Sequence, residues 1–326
     1  MAALLELEKF TVELPAPGGW VRPVNEVSLR IEQGEALGLV GESGSGKTML
    51  SLGLMGLEPH GARRSGRAWL GVSQNDTDAR VNLAGFPAEG MRKLRGRDIA
   101  MIFQEPMTAL DPVMRIGAQI EEAIRAHEPA LSSHDIRHRA IESLELAAVP
   151  QSEERARQFP HQLSGGLRQR AMIAMALAMR PRLLIADEPT TALDVTVQKQ
   201  ILELLLRLRQ ELRLTLLFIT HDLGVVSQIT DRIAVMYAGR IVEAGPTREV
   251  LRAPRHPYTE GLLRAAPRLQ RGKLVPIPGS VPQLDALPPG CAFAPRCSHR
   301  RAECDARVPE LRPASPEHTA RCILVE

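Results

Sequence analysis

Residues 36 to 57 read ALGLVGESGSGKTMLSLGLMGL, and this stretch decides the fold. Its first five residues are apolar and too few for a helix, which suits a strand buried on both faces. Its last ten are rich in leucine and methionine and form helix readily. Between them Gly41 to Thr48 match G-x-x-x-x-G-K-[ST], in the strand-to-helix setting that the pattern requires. The glycines Gly41, Gly44 and Gly46 let the backbone curl so that N–H groups converge on phosphate oxygens, with Glu42, Ser43 and Ser45 as the intervening residues. Lys47 can reach the β- and γ-phosphates of a nucleotide, and the Thr48 hydroxyl can ligate Mg²⁺.

Outward from this loop, short apolar runs recur at Ile99 to Phe103, Leu183 to Ala186 and Leu216 to Thr220. Helical patterns lie between them, at Ile116 to Arg125, Ser133 to Leu146, Leu167 to Arg180 and Val195 to Leu212. Strands alternating with helices predict an α/β fold with a largely parallel sheet. The first thirty residues alternate like antiparallel strands about a Pro-Gly-Gly turn at Pro17 to Gly19. Beyond about Gly245 prolines crowd the chain and periodicity fades, which predicts a loop-rich tail.

Three further features carry chemistry. The strand RLLIADEP ends in two acids: Asp187 is placed to hold Mg²⁺, and Glu188 to orient or deprotonate an attacking water. HQLSGGLRQR, at 161 to 170, sets Ser164, Gly165 and Gly166 before a helix, an anion site in its own right. A chain with one phosphate cradle has use for a second if it closes over the nucleotide of another subunit. The third is Cys291, Cys297, Cys304 and Cys322, with gaps of five, six and seventeen residues, in a tail with little core of its own. Such a segment needs an organising centre. Zinc sites usually show close C-x₂₋₄-C pairs, whereas iron–sulfur clusters accept varied spacings; zinc and unligated thiols remain open as alternatives.

The 326 residues are 44% hydrophobic and 24% charged, with a formal charge of +3, ordinary for a globular chain and too weak a charge to imply nucleic acid. No run of about 18 apolar residues is long enough to span a bilayer. The start, MAALLELEKF, lacks the basic region of a signal peptide, so a cytosolic location is expected.

Taken in order, Gly41 to Thr48, Gln104, LSGG at 163 to 166, Ala186-Asp187-Glu188, Ala192-Leu193-Asp194 and His221 resemble the nucleotide-binding subunit of ABC transporters. The resemblance implies a P-loop NTPase with an antiparallel β subdomain, a helical subdomain at about 105–180 and a loop-rich C-terminal extension. ATP and Mg²⁺ would be its cofactors, and ATP hydrolysis its activity. It also implies roles for individual residues. Gln104 would contact Mg²⁺ and the attacking water and relay contact with a membrane subunit. Ser164, Gly165 and Gly166 would bind the γ-phosphate of ATP held by the partner. Asp194 would lie at the dimer seam, and His221 would contact the γ-phosphate. Leu167 replaces the family's glutamine, and Leu14 stands where the family has an aromatic residue for adenine, with Trp20 nearby.

The tail narrows the family. HPYTEGLL at 256 to 263, IPGSVPQL at 277 to 284 and GCAFAPRC at 290 to 297 resemble the C-terminal region of oligopeptide and dipeptide importers, in particular their "D" motor subunit. This implies an ABC domain over 1–245 and a peptide-importer C-terminal domain over 246–326 whose cysteines hold a [4Fe–4S] cluster. It also implies a homologous second ATP-binding subunit forming a heterodimer, two transmembrane permease subunits and an extracytoplasmic peptide-binding protein. The site of work would be the cytoplasmic face of the inner membrane. Nickel, glutathione and opine importers share much of the pattern, and a regulatory ATPase that transports nothing is the alternative of another class.

Overall fold

The structure is a computed structural model that describes residues 3–74, 77–191, 193–266 and 275–325. The alternating start forms β1 (Ala3–Ala16) and β2 (Gly19–Glu32), paired antiparallel across a tight turn. β3 (Ala36–Val40) is buried at every residue and leads through the phosphate loop into α1 (Lys47–Met55). Next, β4 (Arg63–Gln74) returns to pair with β1, and β5 (Thr77–Asn82) pairs with β4. The first sheet is therefore β2-β1-β4-β5, wholly antiparallel.

After α2 (Ala88–Leu94), β6 (Ile99–Ile102) opens the second half of the chain's main sheet. A helical group follows: α3 (Pro106–Ala109), α4 (Ile116–His127), α5 (Ser133–Leu146), α6 (Ser152–Ala156) and α7 (Gly165–Leu177). The chain then alternates β7 (Leu183–Asp187), α8 (Val195–Leu212), β8 (Thr215–Thr220), α9 (Leu223–Ile229) and β9 (Arg232–Tyr237). β10 (Arg240–Pro246) folds back antiparallel on β9. The tail contributes α10 (Thr247–Arg252), α11 (Pro257–Ala265), α12 (Ala302–Ala306) and the hairpin β11 (Arg312–Ser315) with β12 (His318–Ala320).

The second sheet runs β11-β12-β10-β9-β3-β8-β7-β6, with β9, β3, β8, β7 and β6 parallel. Every residue of β3, β6, β7 and β8 is buried, as a sheet covered on both faces requires. Side-chain alternation divides them between two cores. Leu183 and Ile185 join Phe10, Val12 and Leu70 beneath the antiparallel sheet, while Leu184 and Ala186 join the helices, among them Ile120 and Leu144. Among the described residues no helix is long and apolar enough to cross a membrane.

The tail is loop-rich, as its prolines dictate, yet its hairpin extends the main sheet through β12 beside β10. The anchor is Glu243, a wholly buried carboxylate on β10. It accepts the backbone N–H groups of Arg255 and His256 at 2.6 and 2.9 Å, and His318 Nε2 lies 2.7 Å away. One side chain thus ties α11 and β12 to the sheet. Removing one partner of such a buried group leaves the others unsatisfied, so Glu243→Ala should destabilise the chain by roughly 3–5 kcal/mol. Urea unfolding measures this, and an unchanged midpoint would show that the tail is held elsewhere.

Candidate functional site

The phosphate loop is gripped between two neighbours. Gly46 has φ +105, in the region that glycine favours, and a Cβ there would lie 1.9 Å from the Pro23 carbonyl oxygen. A Cβ on Gly41 would lie 2.2 Å from the carbonyl oxygen of Met236. Within this curl Lys47 is buried, and its Nζ donates to the carbonyls of Gly41 and Glu42 at 2.7 and 3.0 Å. Burial lowers its pKa, while the charges of Glu188, Asp187 and Glu42 act to raise it. A phosphate brought here would meet an ammonium already placed among the loop's N–H groups.

Asp187 ends β7 facing this loop and is 1% exposed. Burial raises its pKa against the opposing hydrogen bond of the Thr48 hydroxyl. Its Oδ2 accepts from Ser51 Oγ at 3.5 Å, whereas Oδ1 is buried without a hydrogen-bond partner. A buried carboxylate oxygen with nothing to accept from, beside a threonine hydroxyl, fits a hard divalent cation such as Mg²⁺. Mg²⁺ is ordinarily held by one or two protein oxygens together with substrate phosphates and water.

Glu188 follows in a left-handed conformation, φ +46, which its N–H to the Ile219 carbonyl at 2.9 Å helps fix. Its carboxylate accepts from Thr191 Oγ1 at 2.8 Å, and His221 Nδ1 lies 3.2 Å from its Oε1. The His221 hydrogen bond holds the Glu188 pKa below the usual carboxylate value, and Glu188 in turn raises that of His221. Gln104 Nε2 stands 3.5 Å from Glu188 Oε2. The loop, Gln104, Glu188 and His221 therefore line one open pocket of about 970 Å³. It can receive a polyphosphate and has an ionised carboxylate, Glu188, in its lining.

Ser164, Gly165, Gly166 and Asp194 are not brought to that pocket. The structure starts α7 at Gly165 rather than Leu167, because Ser164 is its N-cap and its hydroxyl accepts the Leu167 N–H at 3.4 Å. Asp194 caps α8 through Thr196 and Val197. A Cβ on Gly166 would meet Val197 at 2.9 Å, so the starts of α7 and α8 lie side by side. Ala192, of the Ala192-Leu193-Asp194 set, lies outside the described residues. Trp20 carries the Arg63 guanidinium 3.9 Å over its ring, and Leu14 pairs with Val21 within the β1–β2 hairpin.

Several residues of the site escaped sequence reasoning. Thr191 lies three places after Glu188, a spacing that could have marked it. Arg296 and Tyr258, by contrast, reach Glu42 from 254 and 216 positions away, and no local pattern announces such contacts.

The expected metal centre in the tail is corrected. Among the described residues no group of three or more His, Cys, Asp or Glu side chains is placed to hold a metal ion, which removes both the [4Fe–4S] cluster and the zinc alternative at Cys291, Cys297, Cys304 and Cys322. The cavity that these thiols border is only about 20 Å³, room for about one water. The organising centre that the tail needs is supplied by Glu243 and by a packed trio, Tyr237, Tyr258 and Phe293, with ring centroids 4.5 to 5.3 Å apart.

Comparison with known proteins agrees with this geometry. Residues 24–191 match the ABC transporter family model, and residues 242–304 match that of the oligopeptide/dipeptide transporter C-terminal region. A protein of Brucella melitensis biotype 1, named a peptide import ATP-binding protein, is 52% identical over 310 residues, covering 92% of this chain and 90% of its own. A Brucella abortus (strain 2308) protein of the same description is also 52% identical and covers 98% of this chain and 96% of its own. Among solved structures, the dimeric ATP-binding cassette MJ0796 bound to ADP and Pi superposes with a TM-score of 0.64 at 28% identity, over 75% of this chain and 99% of that one. The protein cbiO1 of Clostridium perfringens, part of the ABC transporter complex cbiONQ, gives 0.60 at 26% identity over 78% and 92%. With its phosphate loop, its paired acids and these relatives, the chain belongs to the ATP-binding cassette family of ABC transporters.

Proposed function

We propose that this chain is the ATP-hydrolysing motor subunit of an importer for dipeptides or oligopeptides, docked on separate membrane-spanning subunits. The observation that carries the reading is the single pocket uniting the phosphate loop with Gln104, Glu188 and His221, in a chain whose residues 242–304 match the peptide-transporter C-terminal region. The division at 245 assigns the motor to residues 1–245 and the peptide-importer extension to the remainder.

In this reading Gly41 to Thr48 cradle the phosphates of ATP and Lys47 neutralises them. Thr48, Gln104 and Asp187 would hold Mg²⁺, which when bound supplies positive charge against the β- and γ-phosphates. Glu188, ionised at neutral pH, accepts the proton of the attacking water, and His221 faces the γ-phosphate while orienting Glu188. Ser164, Gly165 and Gly166 act on the nucleotide of a homologous second subunit, with Asp194 at the seam. Their position away from the chain's own pocket supports that arrangement. Val113, 82% exposed, and Met107 stand close in sequence to Gln104 and offer an apolar surface to a permease subunit. An extracytoplasmic peptide-binding protein feeds the assembly, and the motor sits peripherally on the cytoplasmic face of the inner membrane.

Reconstituted with its partner subunits in liposomes, the chain should hydrolyse ATP faster when peptide-loaded binding protein is present. No stimulation by any peptide would remove the import assignment. Glu188→Gln should leave ATP binding nearly intact while slowing turnover roughly 10²–10⁴-fold, the usual loss with a general base. Near-normal turnover in that variant would take Glu188 out of the role.

The His221–Glu188 pair also predicts a pH signature. His221 is raised above its ordinary 6.5, so its share of the pairing is full below that pH and is lost as pH rises through the raised value. Glu188 is lowered from 4.5, so its share is present above that pH and lost as pH falls through the depressed value. The pair is therefore strongest between about pH 4.5 and 6.5. In NMR titration the His221 imidazole should have its midpoint above 6.5 and move down in Glu188→Gln. A midpoint unmoved by the substitution would mean that the two side chains do not pair.

A further inference from the structure

One buried cation of the C-terminal region has no part in the chemistry above. The Arg296 side chain is 4% exposed. Its NH1 and NH2 groups donate to the two carboxylate oxygens of Glu42 at 2.7 and 3.0 Å, a forked pair. The remaining N–H groups go to the Pro278 carbonyl at 2.8 Å, to Tyr237 Oη at 3.3 Å and to the Gly279 carbonyl at 3.4 Å. All five guanidinium donors are thus engaged, by the phosphate loop, by the end of β9 and by the tail.

Glu42 is held at every polar group. Its carboxylate meets Arg296, its N–H donates to Tyr258 Oη at 2.7 Å, and its carbonyl accepts from Lys47 Nζ at 3.0 Å. Glu42 also lines the pocket, where an uncompensated negative charge would oppose a polyphosphate. The restraints on its carboxylate and its N–H both come from beyond residue 245, and the first of these offsets its charge.

We propose that Arg296 and Tyr258 are positioning residues of the nucleotide site, which fix and neutralise Glu42 so that the affinity for ATP depends on the C-terminal region. The inference rests on the reading of the pocket as an ATP site. It makes the tail more than an appendage of the motor: displacing Arg296 both loosens the phosphate loop and exposes an acid to the phosphates. Linkage makes the effect reciprocal, so bound ATP should tighten the tail.

The test uses the full-length chain and Mg²⁺-ATP. Arg296→Ala should weaken ATP binding about tenfold, an ordinary size for coupling between sites. The loss should appear in KM, with kcat at saturating ATP little changed. Arg296→Lys, which keeps the charge and loses the fork, should recover part of the affinity. Adding Glu42→Gln to Arg296→Ala should recover part as well, because the exposed charge is gone. Tyr258→Phe removes one hydroxyl and tests the other restraint should Arg296→Ala fail to fold. ATP should also slow hydrogen exchange over residues 277–297 in the wild type and not in Arg296→Ala. Wild-type affinity in folded Arg296→Ala and Tyr258→Phe would overturn the inference. So would a lower melting temperature with ATP affinity unmoved, the mark of a purely structural clasp. Lys47→Ala separates the two levels: if wild type itself binds no ATP, the functional reading falls, whereas loss of binding in Lys47→Ala with none in Arg296→Ala leaves that reading standing and removes this one.

Discussion

The turn from β3 into α1 exists only because its backbone passes closer to its neighbours than a side chain would allow. Pro23 presses on one end of the phosphate loop and Met236 on the other, at Gly46 and Gly41. Those contacts come from different sheets, since Pro23 lies on β2 and Met236 on β9. The loop is therefore a keystone between the antiparallel and parallel layers as well as a cradle. Its N–H groups need not be ordered by the phosphate, so the conformational cost of binding falls. Lys47 follows from the same packing: the curl presents two carbonyls to its ammonium, while the charges of Glu188, Asp187 and Glu42 act against the burial that lowers its pKa.

Two adjacent acids at the end of β7 show how position divides chemistry. Asp187 is pushed toward the neutral form by burial, and Glu188 toward the ionised form by His221. Neighbours in sequence, they acquire opposite tendencies because one side chain ends the buried strand while the next turns out on a left-handed backbone. A left-handed glutamate costs of order 1–3 kcal/mol, which the sheet around it must absorb. That conformation lets Glu188 face His221 and Thr191 at the pocket rather than continue the strand.

Much of the fold was legible because buried parallel strands and amphipathic helices each leave a local pattern. Ala36 to Val40, Ser133 to Leu146 and Val195 to Leu212 occur with the bounds that sequence predicts. β4 and β5 escaped: a strand carrying Arg63, Arg64, Ser65, Gly66 and Arg67 lacks apolar alternation in its first half and is ordered by pairing with β1. The motifs of the pocket were legible because each is contiguous and tied to a strand end. The link between Glu42 and Arg296 was not, since two residues 254 positions apart declare themselves only after the chain has folded.

The cysteines show the opposite failure. Their number and their setting among prolines predict a metal centre that orders the tail, and the structure orders it otherwise. Proline, however, lowers the entropy of the unfolded chain, so fewer native contacts suffice to hold such a segment. Among the contacts that hold the tail are Glu243 with His318, Arg296 with Glu42, the β10–β12 pairing and three packed aromatic rings. The first two contacts join the main sheet or its phosphate loop to the end of the chain, Glu243 on β10 to His318 on β12 and Glu42 to Arg296. A tail ordered in this way cannot shift without parting Glu243 from His318 and leaving Glu42, on the phosphate loop, without the Arg296 guanidinium. The economy that removes the need for a metal is the same feature that binds the tail's order to the geometry of the nucleotide pocket.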